Sequence, residues 1–441
     1  MDTATPSLPI ACCPGPVRGT VRPPGSKSIT NRALVCAALA RGRSRLEGVL
    51  DSQDTRVMVA GLAALGIEVT ADWEAGIVDV GGAGGAIPAT TATIDCAASG
   101  TTMRFLSAVS SLGTGTYRLD GTPRMRQRPI DDLLEPLRSL GIDALAESPG
   151  GCPPVVIRSR GLPGGRIAVR GTTSSQFASG LALAAPCANA ETTLEFTGRL
   201  VSLPYLEMTR RVMESFGGSC QSPTPHTWVI PATGYTACDY AIEPDASAAS
   251  YFLAAAAITG GRVRIEGLSR TSMQGDIGFA DALERMGCSV TWQEPGPTTP
   301  HGAVTVAGRA DRGIDIDMNA ISDTVPTLAA VALFATTPTA INNVAHIRDK
   351  ETDRIGDLVR ELRRLGCRVD ERPDGLTIHP GPLHGASIAT YDDHRMAMSL
   401  ALAGLRTPGV VIENPDCVGK TFPGYWRMLA DLTSGRCPAP A

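Results

Sequence analysis

Six stretches of this 441-residue chain gather cations, hydroxyls, amides and carboxylates more densely than packing requires. They are Pro24-Gly25-Ser26-Lys27-Ser28-Ile29-Thr30-Asn31-Arg32, Ala98-Ser99-Gly100-Thr101-Thr102-Met103-Arg104, Pro123-Arg124-Met125-Arg126-Gln127-Arg128-Pro129, Gly171-Thr172-Thr173-Ser174-Ser175-Gln176, Asp349-Lys350-Glu351-Thr352-Asp353-Arg354 and Tyr391-Asp392-Asp393-His394-Arg395. Lys420 adds one more cation near the end. The chemistry these types offer is anion binding. Arginine pairs with phosphate or carboxylate through two parallel hydrogen bonds, and lysine acts as a point charge. Glycine lets a ligand reach the backbone, and a helix start adds amides without intrahelical acceptors and the positive end of the macrodipole. The Lys27 stretch runs into Ala33-Leu34-Val35-Cys36-Ala37-Ala38-Leu39-Ala40, which predicts a loop-to-helix junction.

Two carboxylates stand out among these groups. Asp323, in Ile321-Ser322-Asp323-Thr324, is open between a helix N-cap and an acid or base. Glu351 adjoins Lys350 and is open between a surface ion pair and a proton-transfer group. A neighbouring cation lowers a carboxyl pKa and burial raises it, so a closed cleft can poise such a group. His394 reads as a satisfied core histidine or as an anion-binding residue at a helix start.

The elements that must position these residues repeat. A helix-like run that ends in glycine and passes into a strand recurs at Leu62–Val69, Leu137–Ala144, Val212–Ser219, Leu283–Val290 and Leu362–Val369. The spacing of about 70 to 80 residues suits a βαβαββ unit better than a short solenoid. Small-residue helices are predicted at Ser28–Ala40, Gly100–Ser111, Ser174–Ala185, Ala246–Thr259, Thr324–Thr336 and His394–Leu405. Their composition suits burial on all sides, whereas a charged helix such as Asp349–Leu365 belongs outside. Six units in two groups of three predict an α/β protein with domains 24–242 and 1–23 plus 243–441. Val17–Val21 is expected as a strand that completes the last unit, and the resulting double connection as a hinge.

Length fits two domains. A net charge of −4, a pI near 5.9 and 4% aromatic residues argue against nucleic acid. Twelve cysteines without metal spacing read as free thiols in a reducing compartment. The proline-broken N-terminus does not read as a targeting peptide, and no apolar run approaches the length of a membrane span. The expectation is a soluble cytoplasmic protein.

The stretches Pro24–Arg32, Pro123–Pro129, Ser174–Gln176, Asp245–Phe252, Lys350–Arg354, Tyr391–Met398 and Lys420-Thr421-Phe422-Pro423 occur in order. Together they make Val17 to about Leu432 resemble the 5-enolpyruvylshikimate-3-phosphate (EPSP) synthase family. That resemblance implies a two-domain inside-out α/β barrel, each domain of three βαβαββ repeats with buried helices, closing over a cleft. It implies transfer of the enolpyruvyl group of phosphoenolpyruvate to the 5-hydroxyl of shikimate 3-phosphate, with no metal or organic cofactor, by a monomer. Shikimate 3-phosphate would be held by Lys27, Ser28, Arg32, Ser174, Ser175, Gln176, Ser202, Tyr205, Asp323, His346 and Lys350. Phosphoenolpyruvate would be held by Lys27, Gly100, Arg124, Gln176, Arg354, Arg395 and Lys420. Catalysis would fall to Asp323 as base, Glu351 as the acid that protonates the methylene carbon, and Lys27.

The chain departs from the family pattern at Ala98 and His346, where asparagine is common, and at Phe105, where proline is common. The retained Gly100 implies inhibition by glyphosate. The rivals are the UDP-N-acetylglucosamine enolpyruvyl transferases and a silent anion-binding homologue. The former usually carry a reactive cysteine in the segment equivalent to Gly121–Pro129, which has none here.

Overall fold

A computed structural model describes residues 6–171, 174–296 and 302–438, so Thr172 and Thr173 lie outside the described residues. The chain divides into two compact units, Gly25–Ile242 and Met1–Pro24 with Glu243–Ala441. Pro24 falls with the second, where its carbonyl accepts from the Asp245 amide at 2.8 Å.

Among the described residues, each unit carries three sheets around three buried helices. The sheet of Thr91–Asp95, Thr114–Asp120, Cys152–Arg160 and Asp143–Ser148 shows the plan. Its first two strands are parallel and the remaining pairs antiparallel. Parallel neighbours need a crossover, here the inner helix Gly100–Ser110, and the link from Thr114–Asp120 to the edge strand Asp143–Ser148 carries the outer helix Asp131–Ser139. The inner helices have no polar face. All of Ala246–Thr259 (ASAASYFLAAAAIT) is buried, so the helix must be surrounded. Close approach follows from small residues: a Cβ on Gly180 would lie 2.9 Å from the Arg104 carbonyl on the neighbouring inner helix. In the second unit Ser250 donates to Thr327 at 3.2 Å, and Thr327 and Ser399 lie 3.1 Å apart, so three inner helices share one hydroxyl chain.

Outer helices are amphipathic: Gly356–Arg364 buries Leu358, Val359 and Leu362 and exposes Arg360, Arg363 and Arg364. The glycine after such helices is left-handed, with φ +86° at Gly66 and +90° at Gly366, a conformation that terminates the helix without a Cβ clash.

Two expectations are corrected. Arg18–Val21 does not complete the last unit; it runs parallel to Arg262–Glu266, in the first sheet of the second unit. The last sheet is completed instead by Ser7–Pro9, antiparallel to Val411–Glu413. The charged helix begins at Gly356, not at Asp349. Asp353 Oδ1 accepts from the amides of Ile355 and Gly356 at 3.1 and 3.0 Å, which satisfies the leading donors and leaves Lys350–Ile355 as a loop.

Candidate active site

In the second unit, four elements deliver charged side chains to Arg354. Its guanidinium, 1% exposed, donates from Nε to Asp393 Oδ2 at 2.7 Å and from Nη2 to Asp393 Oδ1 at 3.2 Å. Nη2 also reaches Glu351 Oε2 at 2.8 Å, and Nη1 reaches Asp323 Oδ1 at 3.3 Å. Three carboxylates around one buried guanidinium hold its pKa above the ordinary arginine value despite burial, the Asp393 charge contributing most.

Asp393 is the N-cap of the inner helix His394–Gly404 and accepts from the Arg395 amide at 2.8 Å. That cap aims Arg395, whose Nη2 lies 2.5 Å from Asp323 Oδ2 and 3.4 Å from Ser247 Oγ. Asp323 is therefore no cap: the helix Val325–Ala332 has Thr324 at its N-cap without a side-chain bond. Lys420, buried at the end of a 3₁₀ turn, pairs with Glu351 Oε1. Glu351 is thus no surface helix pair but a largely buried carboxylate between Arg354 and Lys420. Lys350, beside it, is half-buried.

His346 is 8% exposed with Nε2 3.0 Å from Ser322 Oγ. Burial, aided by the Lys350 charge, pushes its pKa down to about 4, so the ring is neutral at pH 7. His394 is fully buried, Nδ1 3.8 Å from Asp393 Oδ1.

Sequence reasoning assigned no role to Asp393, Ser247 or Asp276. Ser247 donates to the buried Asp276 carboxylate. Burial first, then the Asp323 charge, pushes the Asp276 pKa up to about 7. A capping aspartate two residues before Arg395 was a readable signal for Asp393. Nothing local marks Asp276.

The first unit carries the other set. The helix Lys27–Leu39 is capped by Ser26, and Lys27 Nζ lies 3.6 Å from Asp54. Ser28 offers its carbonyl to Arg32 Nη1 at 2.8 Å. Arg32, 2% exposed, also donates to Thr209 at 2.8 Å and to Ser179 and the Tyr205 carbonyl at 3.3 Å, and stacks 5.2 Å from the Phe105 ring. All these partners are uncharged, and burial lowers its pKa to about 10.

Ser174 caps the helix Ser175–Ala184 and accepts from the Gln176 amide; Gln176 Nε2 donates to Thr101 at 3.3 Å. Ser202 adopts the left-handed conformation, φ +53°, ahead of the helix that carries Tyr205. In the Pro123–Pro129 stretch the arginines separate: Arg124 is exposed with a 3.4 Å bond to Gln127, Arg126 pairs with Asp120, and Arg128 is buried beside Gly100.

Among the described residues no helix is long and apolar enough to cross a membrane. The family model for EPSP synthase (3-phosphoshikimate 1-carboxyvinyltransferase) matches residues 13–429. A 3-phosphoshikimate 1-carboxyvinyltransferase of Nostoc punctiforme is 48% identical over 418 residues, spanning 95% of this chain and 97% of that protein. One from Methanoculleus marisnigri is 43% identical over 94% of this chain and 97% of its own. An EPSP synthase structure from Acinetobacter baumannii superposes with a TM-score of 0.81 at 25% identity, covering 97% of this chain and 98% of that one. With repeat plan, signature order and full-length similarity in agreement, the chain belongs to the EPSP synthase family.

Proposed function

We propose that this protein transfers the enolpyruvyl group of phosphoenolpyruvate to the 5-hydroxyl of shikimate 3-phosphate and releases phosphate. The observation that carries this reading is the Arg354 cluster, which brings Asp323, Glu351, Arg395 and Lys420 into one hydrogen-bonded set inside a chain of this family.

In the proposed sequence a protonated Glu351 gives its proton to the methylene carbon, C2 becomes electrophilic, and the 5-hydroxyl oxygen bonds to it while Asp323 takes the hydroxyl proton. In the second step Glu351 removes a proton from the new methyl group, the double bond re-forms and the C–O bond to phosphate breaks. Glu351 ends protonated, as it began, and the proton that Asp323 took passes to the departing phosphate, which leaves as hydrogen phosphate and returns Asp323 to its carboxylate. Arg354, Arg395 and Lys420 are each tied to a carboxylate, so an incoming dianion competes for cations that Asp323 and Glu351 hold. Drawing those cations toward the ligand favours the protonated carboxyl the first step needs. Lys27, Arg124, Gly100 and Gln176 are proposed to meet the donor's phosphate. Ser28, Arg32, Ser174, Ser175, Ser202, Tyr205, His346 and Lys350 are proposed for shikimate 3-phosphate. Arg32 would act there largely by its field, since its donors are satisfied internally.

The preformed cation–carboxylate set and the intact Asp323 and Glu351 speak against a silent homologue. The test is phosphate release from phosphoenolpyruvate with either acceptor. Release with shikimate 3-phosphate is expected; release only with UDP-N-acetylglucosamine, or with neither, overturns the reading.

A further inference from the structure

The two residues before Asp393 hold a backbone conformation that such side chains rarely take. Tyr391 and Asp392 are both left-handed, φ +54° and +56°, and the Asp393 amide donates to the Thr390 carbonyl at 2.9 Å. A four-residue turn closed by that bond, with both central residues at positive φ, is a type I′ turn, and glycine and asparagine are its ordinary occupants. Tyrosine in this place is strained, and such strain persists only where the surroundings over-determine it.

Two clamps meet that condition. On one side is Glu361, 0% exposed on the outer helix Gly356–Arg364. Its Oε1 accepts from the Tyr391 hydroxyl at 2.5 Å and its Oε2 from the Ala389 amide at 3.1 Å. Arg360 adds a 3.1 Å bond to the same hydroxyl. On the other side the Asn414 side chain donates from Nδ2 to Asp392 Oδ1, and the Thr390 hydroxyl donates to the Glu413 carbonyl at 3.0 Å. Asn414 is itself left-handed, φ +47°, and precedes the 3₁₀ turn Pro415–Lys420.

We propose that Tyr391, clamped by Glu361, and Asp392, clamped by Asn414, are positioning residues that bring Arg354, Arg395 and Lys420 into register. The helix that carries Glu361 follows directly on the loop of Glu351 and Arg354, the strained turn leads into Asp393 and Arg395, and Asn414 leads into Lys420. Neither residue bonds to these cations. Both act through the backbone that places Asp393 against Arg354. Given the function proposed above, on which this assignment of substrate rests, the quantity they set is affinity for phosphoenolpyruvate rather than for shikimate 3-phosphate.

The test compares the full chain with Tyr391→Phe, Asp392→Ala and Asp392→Asn. Nitrogen-15 NMR of the Arg354 Nε–H, buried against Asp393, reads its hydrogen exchange without any turnover. Tyr391→Phe and Asp392→Ala are expected to speed that exchange about tenfold or more, while the amides of Ala246–Thr259 in the same unit exchange as before. Asparagine accepts the left-handed backbone and keeps an oxygen for Asn414, so Asp392→Asn is expected to match the unaltered chain. In steady-state kinetics the ratio of KM for phosphoenolpyruvate to KM for shikimate 3-phosphate is expected to rise at least about threefold in Tyr391→Phe and Asp392→Ala, and to stay in Asp392→Asn. Unchanged Arg354 exchange overturns the proposal, as does an unchanged KM ratio or an equal acceleration at Arg354 and at Ala246–Thr259, which is what a merely structural turn produces. Asp392→Asn as impaired as Asp392→Ala also overturns it. Should Asp392→Ala fail to fold, Tyr391→Phe decides by the same readings. If the unaltered chain does not turn over phosphoenolpyruvate, the functional reading fails by itself, and the exchange rates alone judge the clamps.

Discussion

Arg354 and Asp393 form a two-point ion pair inside the second unit, Nε to Oδ2 at 2.7 Å and Nη2 to Oδ1 at 3.2 Å, and neither side chain is more than 2% exposed. One end of this pair caps the helix that launches Arg395, and the other reaches Glu351 and Asp323. Lysine cannot supply the fork. Arg354→Lys is expected to lower kcat/KM for phosphoenolpyruvate at least about a hundredfold. It is also expected to destabilise the fold by about 1–3 kcal/mol, because a lysine keeps the charge but leaves part of the buried Asp393 carboxylate without a donor. Steady-state kinetics and denaturant unfolding check both, and a change below twofold in kcat/KM opposes the role.

His346 makes the fold sensitive to acid. Its folded pKa, about 4, lies below the ordinary histidine value near 6.5, so the unfolded chain takes up the proton first. Stability from this group is intact above about pH 6.5 and falls as pH drops toward 4. His346→Asn, which keeps a donor for Ser322, is expected to flatten that fall, seen in urea unfolding across the window.

Asp276 acts with the opposite slope. Its carboxyl titrates near 7 when folded and near 4 when unfolded, so the folded state holds the proton more tightly, and stability declines as pH rises from about 4 to 7. Asp276→Asn removes that decline. Because Ser247 bridges Asp276 to Arg395, the variant is also expected to shift the acidic limb of the kcat profile. Superimposable pH–stability curves contradict this account.

Gly180→Ala places a methyl 2.9 Å from the Arg104 carbonyl across two packed inner helices. Overpacking of this kind costs about 1–3 kcal/mol. A lower thermal midpoint is expected, with the loss concentrated in the unit Gly25–Ile242.

Much of this was legible where the signal is local. The glycines closing the outer helices and the small-residue composition of the inner ones predict the repeated unit. Ala246–Thr259 is observed at the bounds expected of it. What was not legible depends on distant pairing. Strand partners for Ser7–Pro9 and Arg18–Val21 are hundreds of residues away, and a four-residue strand carries no mark of which sheet it joins. The charged helix is shorter than the expected Asp349–Leu365 because Asp353 diverts the first amides to its own side chain. In the candidate site, Arg354, Arg395 and Lys420 were singled out by type and by resemblance. That Asp323 binds two of them, and that Asp276 lies behind Ser247, comes only from tertiary packing.

The most direct measurement is the reaction in deuterium oxide followed by proton and phosphorus NMR, with the unaltered chain and with Glu351→Gln. If Glu351 protonates the methylene carbon, shikimate 3-phosphate acquires an enolpyruvyl ether whose vinyl carbon carries solvent deuterium, and Glu351→Gln yields neither product nor label at a comparable rate. Product without deuterium from the unaltered chain, or near-normal turnover by Glu351→Gln, would contradict the account.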